Sequence, residues 1–198
     1  MIVGVVLAAG ESRRMGKQKL LLPYGGVPVI RHIANVLGTS ELGKFAVVTG
    51  KDKNGVEECL AGTEALFTHN AEFDEGMLSS VRKAVGFAAS LNSDLMLFLG
   101  DQPMIEAVVI NELMSGWNEK VATIRVASFH GRRGHPVLIH QSFFDEILTE
   151  FDDQGLRGLL VKRASQVFDV HMNEEGVLMD MDFPSDYEAA LKRLEKNG

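Results

Sequence analysis

Short apolar runs alternate along this chain with segments whose apolar residues recur at helical spacing. That alternation constrains the fold more than any other feature. The apolar runs predict strands at Val3–Leu7, Phe45–Thr49, Ala65–Phe67, Leu95–Leu99, Ala122–Val126, Pro136–Ile139 and Gln166–Val170. The amphipathic segments predict helices at Val29–Leu37, Val56–Leu60, Leu78–Ala89, Ala107–Ser115, Phe143–Leu148, Gly158–Lys162 and Ser185–Leu194. Strands that alternate with helices imply a mostly parallel sheet covered on both faces, a doubly wound α/β architecture. The later half carries shorter strands and denser glycine (Gly131, Gly134, Gly155, Gly158), which suggests a mixed edge or a substrate-facing lobe. No repeat, low-complexity segment or linker divides the chain, so residues 1–198 read as one domain.

The first strand leads directly into a loop of unusual charge. From Leu7 the sequence reads LAAGESRRMGKQK, placing Arg13, Arg14, Lys17 and Lys19 close together after a glycine. Backbone N–H groups freed by such a loop, with fixed cations beside them, suit a polyphosphate. The carboxyl end of a first strand is also where open α/β sheets bind ligands. The competing reading is a solvated basic turn. Two better-known phosphate loops are excluded. The P-loop requires four residues between its glycines and a hydroxyl residue after its lysine. Here Gly10 and Gly16 are separated by five, and Gln18 follows Lys17. The G-x-G-x-x-G fingerprint fails because Glu11 and Ser12 follow Gly10.

Bulk composition narrows the partners. A net charge of −7 argues against a general nucleic-acid binder, which needs a broad basic face. The lone cysteine, Cys59, permits neither an internal disulfide nor a cysteine-based metal site. No apolar run approaches bilayer length, and no basic leader precedes the first strand, so a cytoplasmic protein without membrane partners is expected.

Acidic motifs supply the second half of a candidate site. The run Leu95–Leu99 ends in Gly100-Asp101-Gln102-Pro103. Asp101 either caps the next helix or holds Mg²⁺ against phosphate oxygens. Pro103 weakens the capping reading, because proline favours the first helical position and makes Gln102 the cap. Later, MDMDFPSDY brings Asp180, Asp182 and Asp186 together. Strand periodicity would place Asp180 and Asp182 on one face, and Asp186 falls in the first turn of the last helix, where it suits the helix dipole. Ser79 and Ser80 open a helix and either pack within it or face a ligand. His135, beside Pro136 in a glycine-rich turn, lacks any zinc-type spacing. Asp153 either caps the helix that follows or meets a substrate.

The loop resembles that of the MobA-like nucleotidyltransferases, the family that includes the molybdenum-cofactor guanylyl- and cytidylyltransferases. Their pattern is L-A-(A/G)-G-x-S-x-R-M-G-x-x-K. The chain matches it at Leu7, Ala8, Ala9, Gly10, Ser12, Arg14, Met15, Gly16 and Lys19. LLLPYGGVPVI, LGDQP, GHPV and DQGLR extend the resemblance over nearly the whole chain. It implies a single-domain, Rossmann-like sheet of the nucleotidyltransferase type, with a nucleotide-binding N-terminal part and an acceptor-facing part at roughly 130–182. It further implies that Leu7, Ala8, Ala9 and Gly10 lie along the nucleotide while Arg14 and Lys19 hold its phosphates. Arg13 and Lys17, at variable positions, then face solvent. By the same resemblance Asp101 and Asp182 hold Mg²⁺, Ser80 with Ser79 beside it faces base and sugar, and His135 and Asp153 stand on the acceptor side, where Arg132 and Arg133 either meet the acceptor's phosphate or are solvated. The chain departs from the family's D-x-D-T-P-x-D at Phe183, which removes a threonine helix cap.

The implied activity is magnesium-dependent transfer of CMP from CTP to a molybdopterin-type acceptor, with release of pyrophosphate. Ala9 stands where guanylyl-transferring relatives have glycine, which favours CTP over GTP. Alternatives are transfer to a sugar or polyol phosphate, and a non-catalytic factor that delivers cofactor to a xanthine dehydrogenase-like molybdenum hydroxylase.

Overall fold

A computed structural model of the chain describes residues 1–197, apart from the side chains of Arg13, Lys196 and Asn197. The reading of Arg13 as solvent-facing therefore lies outside the described side chains. In chain order the elements are β1 (Ile2–Ala8), β2 (Pro23–Tyr24), β3 (Val27–Pro28), α1 (Val29–Thr39), β4 (Phe45–Thr49), α2 (Lys53–Cys59), β5 (Leu66–His69) and α3 (Met77–Ser90). They continue with β6 (Asp94–Leu99), α4 (Ala107–Met114), β7 (Ile124–Phe129), β8 (Arg132–Ile139), α5 (Phe144–Thr149), α6 (Leu156–Lys162), β9 (Val167–His171) and α7 (Pro184–Asn197).

The central sheet has seven strands in the order β5-β4-β1-β6-β8-β7-β9. Only β8 is antiparallel to its neighbours, β6 and β7. This is the expected doubly wound sheet with a mixed edge. Successive residues of each central strand enter opposite cores, as the period of two requires. Val6, Val47, Met96 and Phe98 pack with α1, α4 and Ala190 of α7. Val5, Val48, Leu97 and Val126 pack with α3, α5 and α6. Side chains such as Leu97, Ile110 and Ile147 are fully buried, so truncating any one to alanine should cost about 2–5 kcal/mol.

The topology places a crevice at one point. From β1 the chain winds outward through β4 to β5, then crosses back to lay β6 on the other side of β1. Connections leave the carboxyl ends of β1 and β6 in opposite directions, and a crevice opens between them. The strand ends there approach closely. A Cβ on Gly50 would lie 2.5 Å from the carbonyl oxygen of Ala9, and one on Gly100 would lie 2.7 Å from that of Leu7.

The structure departs from expectation in four places. Strand β8 begins at Arg132 rather than Pro136 and joins β7 through His130 and Gly131, both with positive φ (48° and 75°). Only Val137–Ile139 of β8 pair with β6, and its first residues, Arg132 and Arg133, are exposed and polar, which hides the start of the strand in the sequence. A small hairpin, β2–β3, turns at Gly25–Gly26. Residues 180–182 form no strand, so alternation does not set the geometry of Asp180 and Asp182. Finally, residues 100–105 form turns and α4 starts at Ala107 after Glu106, so neither Asp101 nor Gln102 caps it and Pro103 is not its first residue.

Candidate active site

The loop that leaves β1 is held in shape by its own side chains. The Ser12 hydroxyl donates to Gln18 Oε1 (2.7 Å) and accepts from the Lys19 backbone N–H (3.2 Å), while Gln18 Nε2 reaches the Gly10 carbonyl (3.4 Å). These bonds tie the loop's start to its end. Lys19 then sits in a short helical turn whose next residue, Leu20, is buried in the core. The turn aims the ammonium at the end of β6. Lys19 Nζ lies 2.5 Å from Asp101 Oδ2 and 3.0 Å from Asp182 Oδ1. Arg14 Nη1 lies 2.7 Å from the other oxygen of Asp182. Lys17, by contrast, is exposed.

Asp182 is placed by backbone capping. Asp186, in the first turn of α7, accepts hydrogen bonds from the N–H groups of Asp182 (3.1 Å) and Phe183 (2.7 Å). The first turn of α7 thus reaches back to fix the segment before it, although Phe183 offers no acceptor to the helix's first N–H groups. The Met181 N–H donates to the Asp101 carbonyl (3.1 Å), so the segment before α7 is bonded to the end of β6.

The charges are strongly interdependent. Burial works against the Lys19 ammonium, but Asp101 and Asp182 outweigh it and raise its pKa. The Lys19 hydrogen bond, followed by the Lys19 and Arg14 charges, holds the Asp182 carboxyl below its ordinary value. Asp180 is pushed up by burial and then by the charges of Asp101 and Asp182.

These groups face a cavity of about 500 Å³ at the β1/β6 crevice. Leu7, Ala8, Ala9 and Gly10 line its β1 side, and Arg14, Lys19, Asp101, Asp180 and Asp182 line its charged end. Ser80 lines the side formed by α3, together with Phe73 and the exposed Met77. Ser79 is outside this lining. Its hydroxyl donates to the carbonyls of Glu72 and Gly76 (2.8 Å each) and accepts from Asn70 Nδ2 (2.8 Å). Asn70 is fully buried, also donates to Ser80 (3.0 Å), and accepts from the Glu72 N–H (3.0 Å). Asn70 therefore ties the β5–α3 connection to the start of α3 and holds Phe73 at the cavity. Sequence reasoning missed Asn70, Phe73 and Met77. The available signal was a polar residue directly after a strand of the parallel sheet.

His135 and Asp153 are not brought into the cavity. His135 lies on β8, two residues before Val137, the last residue paired with β6. Burial lowers its pKa while the charge of Asp101 acts in the opposite sense. Asp153 is exposed in the turn before α6. Arg132 is exposed at the hairpin tip, and Arg133 pairs with Asp169 (2.6 Å).

The donor set fits a hard divalent cation that shares its shell with substrate. Asp101 and Asp182 already converge on a single cationic atom, and carboxylate oxygens suit Mg²⁺. Among the described residues no group of three His, Cys, Asp or Glu forms a metal cage. An ion here would take remaining ligands from phosphates and water, as Mg²⁺ ordinarily does. Among the described residues no helix is long and apolar enough to cross a membrane.

Comparison with known proteins gives the same picture. The chain is 26% identical to the molybdenum cofactor cytidylyltransferase of Escherichia coli over 96% of its length and 95% of the relative's. It is 29% identical to the purine catabolism protein PucB of Bacillus subtilis, over 98% of this chain and 97% of that one. It also superposes on the crystal structure of Rv0371C from Mycobacterium tuberculosis in complex with manganese, with a TM-score of 0.77, 25% identity, and coverage of 96% of this chain and 98% of that chain. The sequence model of the MobA-like NTP transferase domain matches residues 4–167, a stretch that includes the strand-end loop, Lys19 and Asp101 at the crevice, so the chain belongs to the MobA-like NTP transferase family and is a nucleotidyltransferase.

Proposed function

We propose that the protein transfers CMP from CTP to the phosphate of a molybdopterin-type acceptor in a magnesium-dependent reaction. The observation that carries this reading is the convergence of Lys19 and Arg14 with Asp101 and Asp182 at the mouth of a loop built to receive a triphosphate. An oxygen of the acceptor phosphate attacks the α-phosphorus in line. The bond from that phosphorus to the oxygen bridging to the β-phosphate breaks, and pyrophosphate leaves with the electron pair. Such a reaction needs positioning and charge neutralisation more than a protein nucleophile.

In this reading the backbone from Ala8 to Gly10 lies along the nucleotide, and Lys19 and Arg14 exchange their carboxylate partners for phosphate oxygens. Asp101 and Asp182 would hold the divalent ion, which supplies charge neutralisation and orients the phosphates. Ser80 offers a hydroxyl to the base or sugar. Ala9 supports the choice of base: it is buried and lines the cavity, and it lies so near Gly50 that a Cβ on Gly50 would come within 2.7 Å of its methyl carbon. The part of the chain at roughly 130–182, with His135 and Asp153, receives the acceptor. The names of the relatives favour the pterin acceptor over a sugar or polyol phosphate.

The test is incubation with Mg²⁺, each nucleoside triphosphate and molybdopterin or molybdenum cofactor, with pyrophosphate release as the readout. Release that requires both CTP and the pterin supports the proposal. Release only with a sugar or polyol phosphate replaces the acceptor, and cofactor binding without release under any condition replaces catalysis by delivery.

A further inference from the structure

Phe183 is an aromatic residue without a packing reason for its position. It is 50% exposed at the N-terminus of α7, where burial gains it little. Its ring has no oxygen to accept the first-turn N–H groups, so it does not cap the helix either. The ring instead faces the Arg14 guanidinium, whose central carbon lies 5.8 Å from the ring centroid. We propose that Phe183 is a positioning residue for triphosphate capture, keeping the Arg14 guanidinium at the loop while Arg14 exchanges Asp182 for phosphate oxygens. This inference rests on the reading that Arg14 engages the triphosphate.

The geometry suits that role for three reasons. A cation on an aromatic face interacts through the guanidinium plane, whereas hydrogen bonds leave through its edge. The contact with Phe183 therefore uses none of the Arg14 N–H donors, which stay available to phosphate oxygens. Asp182 engages Nη1 alone, so the remaining donors are not taken by this pair. Arg14 is also 65% exposed, and a long exposed side chain loses rotamer freedom when it binds. A ring that limits this freedom beforehand reduces that loss. The contact joins the β1 loop to the segment before α7, two parts of the chain that are otherwise joined here by the ion pairs of Asp182.

The role is separable from a structural one by a double-mutant cycle on binding rather than turnover. Calorimetric titration with CTP and Mg²⁺ would compare wild type, Phe183→Ala, Phe183→Tyr, Arg14→Gln and the Phe183→Ala/Arg14→Gln double variant, with thermal unfolding as a control. Phe183→Ala should weaken binding about two- to five-fold at an unchanged melting temperature, and Phe183→Tyr should bind like wild type. In the Arg14→Gln background, Phe183→Ala should change the Kd by less than about 1.5-fold, because the partner is already gone. An unchanged Kd for Phe183→Ala would overturn the inference, and so would an equal loss in both backgrounds. If the wild-type protein bound no triphosphate, the proposed function itself would fall, and the inference with it.

Discussion

The two halves of the sheet hold their candidate site residues in different ways. On the parallel side, from β5 to β6, the side chains that face the nucleotide cavity are already locked together. Lys19 bridges two carboxylates, Arg14 is held by one of them, and Ser80 is bonded through Asn70. On the mixed side, from β8 to β9, neither His135 nor Asp153 lines the cavity: His135 lies on β8 within reach of the Asp101 charge, and Asp153 sits in an exposed turn. The difference follows from backbone topology. Parallel strands deliver every β–α loop to one edge, so the loops after β1 and β6 meet there, and Asp182 is added to them from the segment before α7 by the bonds of Asp186 and Met181. The antiparallel β8 breaks that rule, and the proposed acceptor surface there would depend on how separate segments come together around a substrate.

Disruption should accordingly be greatest on the parallel side. Asp101→Asn keeps the shape of the strand end but removes the charge that would hold the metal. We expect turnover to fall at least about a hundredfold, with a melting temperature close to wild type. Near-normal turnover in a folded variant would remove Asp101 from the metal site. Lys19→Ala should also reduce kcat/KM strongly, since it deletes the cation between Asp101 and Asp182, whereas Lys17→Ala on the exposed side of the loop should be mild. Equal effects would show that the loop's register has been misread.

A smaller effect is expected at the base. Ala9→Gly removes one methyl from the cavity, and a difference of that size is worth about 1–3 kcal/mol in selectivity. Competition between equal CTP and GTP should show GTP use rising relative to CTP, without a necessary reversal. A wild-type preference for GTP would contradict the choice of base while leaving the metal-dependent chemistry intact. The smallest effects should come from the mixed side. His135→Asn and Asp153→Asn should raise the KM for the acceptor several-fold and leave CTP affinity within about two-fold, because they alter one substrate's contacts only. A parallel loss of CTP affinity would show that the two halves act as one site.

The same contrast explains what could be read from the sequence. The three inner strands of the parallel half, β4, β1 and β6, are almost wholly apolar and buried, so their existence is visible, and the motif loop follows β1 without a gap, whereas the edge strand β5 is largely exposed. The fold class follows from that pattern. Beyond it, tertiary structure decides. Strand β8 opens with Arg132, Arg133 and Gly134, beyond the residues that pair with β6, and its exposed start needs no apolar alternation. Asp182 is aimed by capping from Asp186 rather than by strand periodicity, a bond visible only once α7 is in place. Ser79 and Ser80 are adjacent in sequence, yet Ser79 is bonded into the loop and only Ser80 lines the cavity, since helical geometry turns neighbours about 100° apart.

The most direct test of the account is the metal dependence of CTP binding in wild type and Asp101→Asn. CTP would be titrated calorimetrically into each protein with Mg²⁺ and again with EDTA. The account predicts that Mg²⁺ strengthens binding to wild type and that most of this enhancement is lost in Asp101→Asn. Equal binding by both proteins, with the same response to Mg²⁺, would contradict it.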